Sequence, residues 1–306
     1  MPRTRANTDH GLHGKARFDD IYDLPDPRGY FRTLRPLAYQ IPQHAQEVFR
    51  QLLAARALAG ASGERPAGQP AERPPTVVDV CCSYGINAAL LNHKVTLDEL
   101  YERYTDPRVE RLSAEQLIDS DREFYAERRL PEAVTVVGLD AAGRAVSYAE
   151  RVGLLDAAFS ENLELADPSP ELRRAVAGAG LITVTGGIGY VTSRTVAQLV
   201  GAAGGAVWLA AFALRGVAYE PIAAALRGLG LVTETAGPER TFVQRRFAND
   251  AERRHALAAV TAAGADPRGK EEAGYYHAQL YVSRPAAHVA AFPLADFVGE
   301  GGASPS

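Results

Sequence analysis

Asp79 and Asp140 are the residues best placed to do chemistry, because each stands at the end of a short apolar run that leads into a turn and an apolar helical pattern. The first run, residues 76–90, reads TVVDVCCSYGINAAL. Val77, Val78 and Val80 suit a central parallel strand, Ser83-Tyr84-Gly85 a tight turn, and residues 86–91 the start of a helix. The second, residues 134–153, reads VTVVGLDAAGRAVSYAERVG, with Val146, Ala149 and Val152 at helical spacing behind Asp140. A carboxylate offers two acceptor oxygens and no donor, and open α/β sheets bind ligands beyond the carboxyl ends of their strands. An acid at that point suits a pair of neighbouring hydroxyls. At Asp140 an ordinary helix N-cap is the competing reading.

The elements that must position these acids follow the same beat. Residues 156–164 read as a short third strand ending near Asn162, 181–186 as a fourth, 192–200 as a helix, 206–212 as a fifth strand and 220–229 as a helix. Such alternation implies parallel βαβ units with right-handed crossovers. After Gly230 the pattern changes: 241–247 and 275–284 are strand-like, with a helix over 249–263.

Segment 76–90 resembles the first motif of the class I S-adenosylmethionine (SAM)-dependent methyltransferases, an acid followed by a glycine-rich turn at the end of the first strand. Aligned from Asp79, the family's three glycines fall on Cys81, Ser83 and Gly85. Small residues there let the backbone approach a ligand that has no phosphate, whereas NAD or FAD would want the missing glycines and a helix N-terminus aimed at a pyrophosphate. The resemblance covers about residues 75–285. It implies an α/β, doubly wound, mostly parallel seven-stranded sheet with an N-terminal helical lid and a helical insertion after strand 1. SAM is the implied cofactor, held by Asp79, Cys81, Ser83, Gly85, Asp140 on the ribose, Asn162 on the adenine, and Thr185 and Gly186. The loop after the fourth strand, residues 185–190, carries no acid and no His, which disfavours a base amine of DNA or a glutamine amide as acceptor. Tyr190 offers a ring face to a sulfonium or a hydroxyl to substrate, and His277 is the other candidate catalytic group, with a structural role as its alternative.

Composition sets the outer bounds. A chain of 306 residues, 46% hydrophobic and 23% charged, can bury a large core. Its net charge of −4 argues against nucleic acid as a partner, and Arg128-Arg129, Arg245-Arg246 and Arg253-Arg254 read as solvated faces. No signal peptide or membrane span is expected, which points to the cytoplasm. The two cysteines, Cys81 and Cys82, are adjacent, and with seven scattered His they give no metal-ligand spacing. A small-residue role for Cys81 outranks a nucleophile.

Domain organisation follows from composition shifts. Residues 1–17 read as a disordered tail, 18–56 as an N-terminal lid and helix, 57–75 as a flexible linker, 76–285 as the SAM domain and 286–306 as a tail. By the resemblance, Tyr22, Tyr30 and Tyr39 of the lid face substrate or sulfonium; docking of the N-terminal helix is the alternative. The insertion, residues 92–132, is helical, its apolar stripe packing on its own domain or on a second copy in a homodimer. Three functions fit: methyl transfer to a small-molecule acceptor, with secondary metabolism as its setting; intramolecular cyclisation of SAM to azetidine-2-carboxylate and methylthioadenosine; or a scaffold that no longer holds SAM.

Overall fold

A computed structural model describes residues 21–61, 75–204 and 206–296. The chain runs α1 (Arg28–Leu34), α2 (Ile41–Ala61), β1 (Val77–Val80), α3 (Ile86–Asn92), α4 (Leu97–Thr105), α5 (Pro107–Glu110), α6 (Ala114–Ala126), β2 (Val136–Leu139) and α7 (Gly143–Arg151). It continues through β3 (Ala157–Phe159), α8 (Pro170–Val176), β4 (Leu181–Thr185), α9 (Ser193–Ala203), β5 (Trp208–Leu214), α10 (Glu220–Gly228) and β6 (Leu231–Thr235). The last elements are β7 (Phe242–Arg246), α11 (Asp250–Ala262), β8 (Tyr275–Pro285) and α12 (Ala286–Ala291).

Strands β1, β2, β4 and β5 are buried along their whole length, as β-branched and apolar runs in the middle of a two-faced sheet must be. The sheet order is β3-β2-β1-β4-β5-β8-β6, and β7 also pairs with β8. β1 to β5 are parallel, and β8 runs against β5, β6 and β7. The sequence implied seven strands; eight are found. β6 meets residues 281–285 of β8 and β7 meets 275–278, so the two lie end to end along one edge and fill a single position. β6 escaped the sequence reading because an exposed edge strand, LVTET, lacks an apolar run. The short α8 was also missed.

Helices cover both faces. One face buries α2, α3 and the insertion helices α4 and α6 around Val77, Leu181 and Phe212. The other packs α8, α9 and α10 over Val78, Ile182 and Leu209. The insertion is helical as expected, each of α4 and α6 opening with a capping box. Its stripe, Leu97, Leu100, Tyr101, Tyr104, Leu117, Ile118 and Tyr125, is buried within the chain, so these residues are not left to cover a second copy.

Three expectations about the ends need correction. The segment before the sheet is not a separable lid: Tyr30, Phe31, Leu34, Ile41, Phe49 and Leu52 are core residues, and α2 runs on through 57–61, where a linker was expected. Residues 1–17 and 62–74 lie outside the described residues. Residues 286–296 of the expected tail pack on the domain: α12 docks through a Trp208 Nε1 hydrogen bond to His288 Nδ1 at 2.8 Å, and Leu294 is buried. Arg245 is not solvated either; it is 2% exposed and gives both guanidinium nitrogens to the buried Glu252.

Because α2 supplies so much of one core face, deleting residues 1–53 should abolish cooperative unfolding. A sharp urea transition in the truncated chain would show that the sheet folds without it.

Candidate functional site

The turn after β1 is strained at the positions where the motif would place glycine. Cys81 has φ 58°, Ser83 φ 50° and Gly85 φ 77°, so three alternate residues adopt the left-handed conformation, two of them with a Cβ. Such residues cost on the order of 1–3 kcal/mol each and persist only where the surroundings hold them. Asp140 does the holding: its carboxylate accepts the Ser83 amide at 2.9 Å and the Ala142 amide at 2.9 Å. Burial pushes its pKa up, and the amide bonds hold part of that rise back. Asp140 is thus not the N-cap of α7, which is Ala142; its carboxylate clamps the turn and braces the loop that leads into that helix. Gly85 is required sterically as well: a Cβ there would stand 3.1 Å from the Ala149 Cβ and 3.2 Å from the Leu154 Cβ.

Asp79 lies inside β1 rather than at its end, in register with Thr183 of β4. Its Oδ1 accepts from Thr183 Oγ1 at 2.7 Å and from Asn87 Nδ2 at 3.0 Å, and Asn87 also reaches Thr185 Oγ1 at 3.1 Å. Asp79 Oδ2, Asn87 Oδ1 and Ser83 Oγ are buried without a hydrogen-bond partner. Burial raises the Asp79 pKa to about 6, against the bonds from Asn87 and Thr183. Both cysteines are held far above the ordinary thiol range, first by burial and then by the Asp140 and Asp79 charges, so neither is a thiolate nucleophile.

The loop after β4 closes onto this turn. A Cβ on Gly187 would stand 2.7 Å from Cys81 Sγ. At Gly186, which has φ 73°, a Cβ would meet Gln244 Nε2 at 3.1 Å and Tyr39 Oη at 3.5 Å. The N-terminal segment crosses here because Tyr84, the one large residue of the turn, grips it. Tyr84 Oη donates to the Ile21 carbonyl and accepts from the Leu24 amide, both at 2.9 Å. Asp23 adds a bond from the Arg144 amide at 2.8 Å, and Tyr101 Oη donates to the Tyr39 carbonyl at 2.7 Å.

The expected residues divide accordingly. Asp79, Cys81, Ser83, Gly85, Asp140, Thr185 and Gly186 come together at the ends of β1, β2 and β4, and Tyr39 joins them. Tyr22 belongs with them: burial, then the Tyr39 and Tyr190 hydroxyls, push its phenol far up. Tyr30 is 3% exposed, with its ring packed edge-on against Tyr22, Tyr39 and Tyr84, which is the docking alternative. Tyr190 is 52% exposed at the rim. Asn162 is exposed, and its side chain accepts the Glu164 amide at 3.0 Å in a local turn. His277 pairs with Thr241 Oγ1 at 3.0 Å, and burial, with Arg215, Lys270 and His44 around it, lowers its pKa to about 4. That leaves it neutral and a weak base. Sequence reasoning missed Asn87, Tyr84 and Gln244. A bulky Tyr in a turn of small residues was the one visible signal.

No protein-family model matches the chain, and no curated protein does. Among solved structures it is similar to the magnesium protoporphyrin IX methyltransferase of Synechocystis with bound SAM, at 14% identity over 79% of this chain and 80% of that one, TM-score 0.35. A plantazolicin methyltransferase in complex with a triazolic desmethylPZN analogue and S-adenosylhomocysteine (SAH) matches at 11% identity over 78% and 84%, TM-score 0.38. A SAM-dependent methyltransferase from Aquifex aeolicus matches at 11% over 88% and 99%, TM-score 0.38. Likeness at this level assigns no residue and no activity. The strand order, with β8 alone reversed, is the doubly wound, mostly parallel α/β sheet expected from the sequence. Among the described residues there is no metal-ligating cluster, and no helix is long and apolar enough to cross a membrane.

Two outcomes follow from the strained turn and the buried acid. Cys81→Gly should change stability by no more than about 1 kcal/mol, since relief of the left-handed strain offsets added chain entropy, whereas Gly85→Val should prevent folding; thermal melts distinguish them. Asp79, with its pKa raised on folding, stabilises the fold fully below about pH 4 and loses that contribution as pH rises through about 6. Asp79→Asn should therefore flatten the pH dependence of urea stability across that window, which is worth at most about 3 kcal/mol. An unchanged slope would mean that Asp79 is not the group responsible.

Proposed function

We propose that this protein binds SAM across the ends of β1 and β2 and transfers its methyl group to a small-molecule acceptor. The observation that carries this reading is the turn at Cys81, Ser83 and Gly85, held left-handed at three alternate positions by Asp140. A chain with no ligand to place there would gain stability by relaxing it. That argues against a scaffold.

The residues present fit the cofactor. The Asp140 carboxylate uses two of its acceptor sites on amides and keeps others for ribose hydroxyls. Buried, unpartnered Asp79 Oδ2, Asn87 Oδ1 and Ser83 Oγ supply acceptors for the polar end of an amino-acid moiety. Bound SAM supplies an activated methyl on a sulfonium, so alignment and exclusion of water are what remain for the protein. Tyr22 and Tyr39, on a segment pinned by Tyr84 and Tyr101, close the site from above. Gly186, without a side chain, lets Tyr39 and Gln244 come close over the loop after β4.

His277 is held near pKa 4, and burial pushes the Tyr22 and Tyr39 phenols far up. Among the described residues, with Asp79 assigned to the cofactor, none of His277, Tyr22 and Tyr39 is suited to take a proton at neutral pH, which favours acceptors nucleophilic in their neutral form. The same observation is behind a second reading, in which SAM is the sole substrate and its own amino group displaces methylthioadenosine. Work on a biosynthetic metabolite in the cytoplasm, without nucleic acid, belongs to the same proposal.

Calorimetry with SAM and SAH tests the cofactor, and mass spectrometry of spent SAM separates the reactions. Asp140→Ala should weaken SAM binding about tenfold or more, through lost bonds to a charged acceptor and a loosened turn. SAH formed only with an added acceptor supports methyl transfer; methylthioadenosine formed without one supports cyclisation. Unaltered affinity in folded Asp140→Ala would remove the assignment.

A further inference from the structure

We propose that Gln244 is a specificity-determining residue, which selects the methyl acceptor by accepting a hydrogen bond from a neutral N–H or O–H group on it. The inference rests on the methyltransferase reading of the site and adds the chemical class of the acceptor. Pairing of β7 with β8 slips between Val243 and Arg245, so Gln244 is the residue left without a partner in the ladder. Such bulges re-aim a side chain, and they are frequent beside functional sites.

Here the bulge turns the amide inward. Gln244 is 2% exposed, its Nε2 stands 3.1 Å from where a Cβ on Gly186 would be, and its Oε1 is buried with no donor in reach. A buried carbonyl oxygen without a partner costs about 1–3 kcal/mol, a cost that a ligand donor would remove. The Gln244 backbone carbonyl meanwhile accepts the Gln40 amide at 2.8 Å, so the same bulge fixes the stretch that carries Tyr39.

Position and charge indicate which ligand is read. The Asp140-held turn lies after β1 and β2, whereas Gln244 comes from β7, at the far edge of the sheet, and meets the expected cofactor residues at Gly186, on the loop after β4. Next to it the Arg245 guanidinium is paired with Glu252 and the half-buried Tyr22 and Tyr39 stay protonated, while the charges acting on those two rings from the cofactor side are the Asp140 and Asp79 carboxylates, which repel an anionic acceptor. A neutral donor therefore suits the site better than a carboxylate. Sites built to hydrogen-bond one substrate group discriminate strongly against analogues that lack it.

Saturation-transfer NMR on the full chain, with and without SAH, tests this with phenol, benzamide and anisole, the last being phenol without its donor. Phenol and benzamide should saturate at least about fivefold more than anisole. In Gln244→Met, similar in shape but apolar, the preference should vanish while the melting temperature stays level or rises, because an unpaired polar atom has been removed. Equal saturation by phenol and anisole, no saturation by any probe, or a preference that survives Gln244→Met would overturn the proposal. So would a fall in melting temperature, the mark of a structural role. Failure of SAH to bind the native chain would sink the methyltransferase reading separately, and the probes would still test Gln244 on the free protein.

Discussion

The Asp140 carboxylate, accepting the Ser83 amide across the gap between the first two strands, is the interaction on which the rest of the site depends. It holds two non-glycine residues in a conformation that their own Cβ atoms oppose. With the turn held, Gly85 can start α3 hard against Ala149 and Leu154, Cys81 can meet the loop after β4, and Tyr84 can point toward the N-terminal segment. One ion–dipole contact thus couples three loops from distant parts of the chain.

Rigidity around the turn comes from buried polar networks. In the insertion Asp121 is bound by Arg103 and Tyr148, and Tyr104 links the Tyr125 and Tyr148 hydroxyls at 3.0 and 2.9 Å. Burial, against the Tyr148 and Arg103 bonds, raises the Asp121 pKa. At the opposite edge Arg215–Glu271 and Arg245–Glu252 are almost fully buried ion pairs. Breaking one partner of such a pair leaves an uncompensated charge, which is why they fix geometry more surely than they add stability. Arg245 follows the bulge at Gln244, so its ion pair also sets where that bulge falls.

Much of this was legible in the sequence where one physical signal dominates. β1, β2, β4 and β5 are buried on both faces, so their apolar runs announce them; Asp140 and Gly85 were legible because a turn between strand and helix constrains residue type. What stayed hidden depends on partners far away in the chain. Arg245 looks solvated until Glu252 folds over it, and the bulk of Tyr84 in a turn of small residues does not say that it anchors residues about 60 positions earlier. The N-terminal segment was misjudged for the same reason, since its rings pack against the turn after β1 and against α4 rather than against each other alone. Asn162 and His277 were assigned by position along the chain, yet their side chains are engaged by Glu164 and Thr241.

Hydrogen–deuterium exchange with and without SAH tests the central claim most directly, because it locates binding without requiring turnover. The account predicts added protection at the amides of residues 81–85 and 141–142 and in the overlying segment 21–24. Protection confined to the separate cleft lined by Gln46, Arg50, Lys94 and Arg128, or no protection at the turn, would contradict it.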